Sequence, residues 1–359
     1  MLENIAEKTS RYITIAYLSY NRGRALLKNL NQGLDKIPPQ VQIMILNNAS
    51  TMEVDEYNEI ERLSLTCNFI EYILQEKNKL FKGNFIDAFK KCKTKYLMLM
   101  SDEDIINYNF FDECNINNYL INHNYAVLRP SVYRDPNVPS DIILNDTQYE
   151  DKEYSKGYDS LKNFSFIGTY ISGYIYNLEI INKNNIIERL EANINKQEIY
   201  PHIYLNLLMG AKGATRLVKL GSCYAGAPVL YEEQGIIVGG SSDYKPPYSH
   251  GSRFDQLIAM RDAIFEAVAM IPNENPETFF DIYISAVEKY FYLICYVDGI
   301  AWHNKEKINV FRIANSFAEF ALASIEMYPM REELRSLLQT KIVGIANAYV
   351  KLLYDTAKN

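Results

Sequence analysis

The chain has 359 residues and a formal net charge of −7, and it lacks the basic clusters that phosphate contacts require, which excludes a dedicated nucleic-acid binder. A hydrophobic share of 48% and an aromatic share of 13% exclude wholesale disorder. The length exceeds what one core usually organises, so a larger domain with a smaller second unit is expected.

Arg11 to Ser19 reads as a buried strand, followed by an amphipathic helix from Arg22 to Leu34 that stops at a Pro-Pro turn. Val41 to Leu46 is a second strand. It ends in the polar loop Asn47-Asn48-Ala49-Ser50-Thr51, and a helix is predicted from Glu53 to Leu65. Asn68 to Leu74 makes a third strand, Gly83 to Lys91 a helix, and Tyr96 to Met100 a fourth strand running into Ser101-Asp102-Glu103-Asp104. This alternation predicts an α/β fold: a mixed, mainly parallel sheet with helices on both faces. Ligands of such sheets sit beyond the strands' carboxyl ends, so the loops Ser19 to Arg22, Asn47 to Thr51 and Asp102 to Asp104 should share one cleft.

From Ala126 to Tyr224 the pattern loosens into strand-like pieces, including Asn163 to Asn177, and a helix from Pro201 to Ala211 closed by Gly213. Gly235 to Gly251 has loop composition. Four helices then follow, over Phe254 to Met270, Phe279 to Val297, Ile308 to Ile325 and Leu334 to Leu353. The expected organisation is a domain over 1–225, a linker over 226–252 and a helical unit over 253–359. Five scattered cysteines without a C-x-x-C pair suggest reduced thiols. The polar N-terminus, and the lack of any ~20-residue apolar stretch, lead us to expect a cytoplasmic protein. The most hydrophobic stretch, Tyr290 to Trp302, is short and contains Asp298, so it reads as buried helix.

Three acidic side chains directly after a buried strand repel one another, and a metal is the simplest neutraliser. Oxygen ligands of this kind suit Mg²⁺ or Mn²⁺ bridging a diphosphate; a solvated acidic turn is the alternative.

These landmarks together resemble an inverting family-two glycosyltransferase of the GT-A fold, of the kind that builds bacterial surface polysaccharides such as capsule or lipopolysaccharide. The matching positions are Ser19-Tyr20-Asn21-Arg22, Asn47 to Thr51, Gly83-Asn84 with Ala88, and Tyr96 through Asp104; together they cover about Tyr12 to Val218. The resemblance implies that Tyr20 and its loop pack on the base of a nucleotide-sugar donor and that Asn47 contacts the pyrimidine edge. Asn48, Ser50, Gly83, Asn84 and Glu103 would belong to the same nucleotide site. Asp102 would touch the ribose or a metal-bound water, and Asp104 would ligate Mn²⁺ or Mg²⁺. The family usually carries Asp where this chain has Asn47, which leaves the base open, with a UDP-sugar favoured.

The family's catalytic carboxylate falls on His202, which is competent as a base, and Glu198 competes with it. Gly168, Thr169, Ser172 and Gly173 fall where the family approaches diphosphate and acceptor, though glycines at a strand bend would read the same way. A loop with Glu232, Glu233, Tyr244, Tyr248, His250 and Arg253 would fold over the donor, with Arg253 on phosphate. The expected acceptor is a glycan or lipid-linked glycan. Three roles are left to the C-terminal helices: holding the acceptor, forming a homodimer, or resting on the inner membrane surface. The rival readings are a non-catalytic glycan-binding scaffold that has lost the base, and a nucleotidyltransferase, which would need a Gly-rich basic loop after the first strand.

Overall fold

The computed structural model describes residues 11–138, 147–193, 200–227, 250–272, 275, 277–294, 310–326, 328 and 330–356. Glu198, Glu232, Glu233, Tyr244, Tyr248 and most of the linker and of Tyr290 to Trp302 lie outside these residues. The described chain forms two compact units. One comprises Met1–Tyr154, Tyr170–Glu191 and Gly213–Gly239, and the other Ser155–Thr169, Ala192–Lys212 and Gly240–Asn359. Ser155–Thr169 and Ala192–Lys212, which the sequence reading includes in 1–225, thus group with the helices.

The first unit opens with β1 (Ile13–Ser19), α1 (Gly23–Asn31), β2 (Val41–Asn47), α2 (Val54–Thr66), β3 (Ile70–Leu74), α3 (Leu80–Lys91) and β4 (Tyr96–Ser101). It continues with β5 (Ile105–Ile106), a short α4 (Glu113–Ile116), β6 (Val127–Arg134), β7 (Lys152–Tyr154), β8 (Ile175–Asn177), α6 (Leu178–Lys183), α7 (Ile186–Ala192) and β9 (Thr215–Ala225), while α5 (Tyr158–Asn163) belongs to the other unit. The sheet order is β3-β2-β1-β4-β8-β6-β9-β5, with β7 on β9. Strands β3, β2, β1 and β4 run parallel, as does β6 with β9, whereas β8 is antiparallel to both its neighbours.

Alternation along β1 sorts the two faces of the sheet. Ile13, Ile15 and Tyr17 join one core cluster with Leu26 and Leu30 of α1 and Tyr57 and Ile60 of α2. On the opposite face Thr14 bonds Thr94 at 2.8 Å, and Phe89 of α3 meets the Tyr176 ring edge-on at 5.4 Å. The crossover through α3 runs back past β1 to β4, reversing the direction of the first two, so the right-handed rule puts α3 on that other face.

Asn163 to Asn177 is strand only over its last three residues. Gly173 sits at φ 90°, and the carbonyls of Tyr170 and Ser172 are taken by a side chain, Arg129, so a turn replaces the expected ladder. Gly213 permits close approach and is not a left-handed cap: a Cβ there would lie 2.8 Å from the Ala126 Cβ.

The second unit holds α5 (Tyr158–Asn163), α8 (Pro201–Lys212), α9 (His250–Ala269), α10 (Thr278–Tyr292), α11 (Val310–Ala323) and α12 (Glu332–Thr356). Pro201 opens α8, where its missing N–H costs nothing. The core is aromatic: Phe317 packs against Phe254 and Phe291, and the Tyr283 hydroxyl donates to the Ala321 carbonyl at 3.0 Å. No helix of the described residues is long and apolar enough to cross a membrane.

Candidate functional site

The strand register brings the polar loops level. Ser19 pairs with Asn47 across β1 and β2, and Leu18 pairs with Ser101 across β1 and β4, so three strands end at one edge. The loops beyond them are stitched together. Asn21 N–H donates to Ser50 Oγ at 2.8 Å, and Asn21 Oδ1 accepts from the N–H groups of Thr51 and Met52. Ser19 and Tyr57 share a hydrogen bond of 2.5 Å, and Asn48 N–H donates to the Ser19 carbonyl at 2.9 Å. Four non-glycine residues around this edge, Asn21, Ala49, Glu53 and Leu80, adopt φ between 52° and 58°. Left-handed backbone at residues such as Ala and Leu carries strain that surrounding structure must hold, and such strain concentrates at functional sites.

Arg22, at the end of the first loop, reaches the acidic run. Its Nη1 donates to Asp102 Oδ1 at 3.1 Å and to Glu103 Oε2 at 2.6 Å, and Ser101 Oγ donates to the same Glu103 oxygen at 2.7 Å. Arg22 therefore brings one positive charge to Asp102 and Glu103, so part of the repulsion within the acidic run is relieved inside the fold, and Asp102, expected to share a metal with Asp104, is bonded to an arginine. Burial and the Glu103 charge push the Asp102 carboxyl up, with Arg22 opposing them. For Glu103, burial pushes upward but is outweighed by Arg22 and by hydrogen bonds from Asp102 and Ser101, so its carboxyl is held below the usual range.

Asp104 lies outside this ion pair and is fully buried. Its Oδ1 accepts from the Tyr170 hydroxyl at 2.5 Å and the Gly226 N–H at 3.0 Å, whereas Oδ2 has no hydrogen-bond partner among the described residues. Burial and the Glu103 charge push its carboxyl up to about 7, against the pull of the Ser172 hydroxyl, which lies near without forming a hydrogen bond to it, and of the Tyr170 hydroxyl and Gly226 N–H. An orphaned buried carboxyl oxygen needs an explanation: below about pH 7 a proton supplies one, and for the ionised form a cation does. No three His, Cys, Asp or Glu side chains gather as a metal-holding group among the described residues. Mg²⁺ needs no such cage, since it is commonly held by one or two carboxylates together with substrate phosphates.

Other sequence candidates serve the fold more than an open pocket. Asn47 is 3% exposed; its Oδ1 accepts from Ser50 N–H at 2.9 Å and its Nδ2 donates to the Tyr72 hydroxyl at 2.7 Å. Asn84 is buried inside α3, donating to the Leu46 carbonyl at 3.2 Å, and Gly83 lies one residue before it in the same helix. The loop facing the Asn47 to Thr51 turn is instead Asn78 to Leu80: Asn48 Nδ2 donates to Asn78 Oδ1, and Lys79 N–H donates to Asn48 Oδ1, each at 2.9 Å. Tyr20 is half-buried beside Ser19. Ser172 Oγ accepts from Ser101 N–H at 2.8 Å, which ties the 170–173 turn to the end of β4.

Gly168, Thr169, His202 and Arg253 belong to the second unit. His202 is 2% exposed in the first turn of α8, edge-on to the Tyr200 ring at 5.7 Å. Arg253, expected in a loop, lies in α9 and is buried, donating to the Tyr200 hydroxyl at 3.1 Å and Gln256 Oε1 at 2.9 Å. His250 opens the same helix. Sequence reasoning missed Tyr57, Tyr72, Asn78, Arg129, Tyr170 and Gly226, because each acts through a partner distant in sequence.

No family model matches the chain, and no curated protein matches it in sequence. Among solved structures, S. aureus TarS 1–349 is similar over 97% of this chain and 91% of that one, at 12% identity and a TM-score of 0.57. The same protein in complex with UDP-GlcNAc gives 13% identity, 97% and 92% coverage, and a TM-score of 0.60. A longer TarS structure is matched over 54% of its length, at a TM-score of 0.54, so the chain spans about half of that protein. At this identity the likeness establishes the fold, which is GT-A.

Proposed function

We propose that the chain is a glycosyltransferase that moves a sugar from a nucleoside diphosphate donor, a UDP-sugar by preference, to a hydroxyl of a bacterial surface glycan or its lipid-linked precursor. The observation that carries this reading is the convergence of the β1, β2 and β4 loops on Arg22, Asp102, Glu103 and Asp104, in a fold that TarS shares and in which TarS has been seen with UDP-GlcNAc. The orphaned Asp104 Oδ2 fits one ligand of a Mn²⁺ or Mg²⁺ ion, with Asp102 beside it. When bound, such an ion would stabilise negative charge on the departing diphosphate.

The chain's own groups have separate tasks in this reading. Tyr20 and the Asn47 to Thr51 turn shape the nucleoside pocket, and the Asn21 and Ser50 contacts hold those two loops in register. Arg22 supplies a positive charge beside the acidic run, where an anionic donor would otherwise be repelled. His202 takes the proton of the acceptor hydroxyl as it attacks, giving inversion at the anomeric carbon in a single displacement; Glu198 is the alternative base.

The test is calorimetric titration of UDP, GDP, CDP and dTDP, with Mn²⁺ or with EDTA, against the wild type and Asp104→Ala. Binding of one nucleotide that disappears with EDTA and with the substitution supports the reading. Absence of metal-dependent binding to all four removes the donor site and favours a glycan-binding scaffold.

A further inference from the structure

The two oxygens of Asp104 differ in their surroundings. Oδ1 is occupied by the Tyr170 hydroxyl and the Gly226 N–H, and Oδ2 is buried without a partner among the described residues. Tyr170 is itself held from behind. Arg129, fully buried in β6, donates through Nη2 to the Tyr170 carbonyl at 3.1 Å and through Nη1 to the Ser172 carbonyl, with its guanidinium carbon 4.1 Å from the Tyr174 ring centre. The recorded partners of Arg129 among the described residues are carbonyls and tyrosines, with no carboxylate. A buried guanidinium is costly, and it persists here where carbonyls and aromatic rings take up its donors.

The turn that Arg129 clamps is bonded to β4 as well. Gly173 N–H donates to the Leu99 carbonyl at 3.0 Å, and Ser101 N–H donates to Ser172 Oγ. Tyr170 therefore approaches Asp104 from a turn fixed at both sides, and its hydroxyl has little freedom to leave.

We infer that Tyr170 is a cation-selectivity residue: by occupying Oδ1 it restricts Asp104 to ligation through Oδ2 alone, which suits Mg²⁺ or Mn²⁺ and disfavours Ca²⁺. Ca²⁺ gathers roughly six to eight oxygens and commonly takes both oxygens of a carboxylate, whereas Mg²⁺ accepts a single carboxylate oxygen with phosphates and water completing an octahedron. Arg129 is the positioning residue that keeps the hydroxyl in place. This role rests on the metal-assisted reading above.

The experiment is a competition. Mn²⁺ bound with UDP is followed by its electron paramagnetic resonance signal while Ca²⁺ is added to the wild type, Tyr170→Phe and Arg129→Lys. The wild type should hold Mn²⁺ against a large excess of Ca²⁺, and Tyr170→Phe should release it at a Ca²⁺ to Mn²⁺ ratio about 10-fold lower, the order of one lost charge-assisted hydrogen bond. Arg129→Lys should move in the same direction by less, because lysine keeps the charge but loses the forked pair of donors, and it carries the test if Tyr170→Phe does not fold. Mn²⁺ binding with an unshifted ratio in the folded variants overturns the selectivity role and leaves the metal reading standing. A wild type that holds no Mn²⁺ with UDP overturns both.

Discussion

Arg22 reaches Asp102 and Glu103 through a single nitrogen, Nη1, so one guanidinium from the β1 loop bridges two consecutive acids from the end of β4. The bridge divides the acidic run into an arginine-bound pair and a separate third carboxylate, Asp104.

Arg22→Gln should leave the buried Asp102 and the half-buried Glu103 without their cation, at a cost of about 1–3 kcal/mol near neutral pH. Glu103 is held below its ordinary 4.5, so the stability it contributes is present above that value and is lost as pH falls through its lower folded value. The gap between variant and wild type in urea unfolding should therefore narrow as pH falls below 4.5. A gap independent of pH would show that the pair does not stabilise the fold.

The Asp104 carboxyl, raised from 3.8 to about 7, has the opposite sign. It remains protonated in the fold while ionised in the unfolded chain, so metal-free protein should lose stability as pH rises across that window and no more above it. Asp104→Asn should flatten this part of the profile in EDTA. Under the proposed metal role, added Mn²⁺ would bind the ionised carboxylate and should stabilise the wild type increasingly as pH rises through the same range.

Asn47→Leu removes both the acceptor for Ser50 N–H and the donor to Tyr72, and should cost about 1–3 kcal/mol in thermal unfolding. Asn47→Asp keeps the acceptor, and the Tyr72 hydroxyl can turn to donate, so its cost should stay within about 1 kcal/mol. Equal destabilisation by both would mean that packing, not the hydrogen bonds, holds the turn.

Gly226→Ala should disable the site more thoroughly than its size suggests. A Cβ there would lie 1.8 Å from the Glu103 carbonyl oxygen and 2.8 Å from its carbon, both backbone atoms that cannot swing aside. Displacing this residue removes the N–H from Asp104 Oδ1, and Mn²⁺-dependent nucleotide binding should be lost in calorimetry.

His202→Asn should lower single-turnover transfer at least ~100-fold while nucleotide affinity stays within error, the pattern of a lost general base. Loss of affinity in step with rate would instead assign His202 to packing inside α8, where it is 2% exposed.

The βα alternation was legible in the sequence because buried parallel strands read as continuous apolar runs: β1, β2 and β4 lie within a residue or two of their expected bounds. Leu80 was not legible as a turn residue, since nothing in a leucine signals φ 58°, and α3 starts three residues before the glycine expected to open it. Asn84 and Arg253 were singled out as ligand contacts by their chemistry, yet both have their polar groups engaged inside the fold.

By itself the sequence determined the order of strands and helices, the three loops at the strand ends and the acidic run, because each rests on hydrophobic period and residue type within a short window. Only the tertiary structure decided that Arg22 bridges two of the acids, that Tyr170 and Gly226 take one oxygen of the third, and that Arg129 clamps the turn bearing Tyr170. Those partners lie about 40 to 120 positions apart, and the free energy of a charge or a hydrogen bond depends on the distance and burial of its partner, which spacing along a chain does not encode.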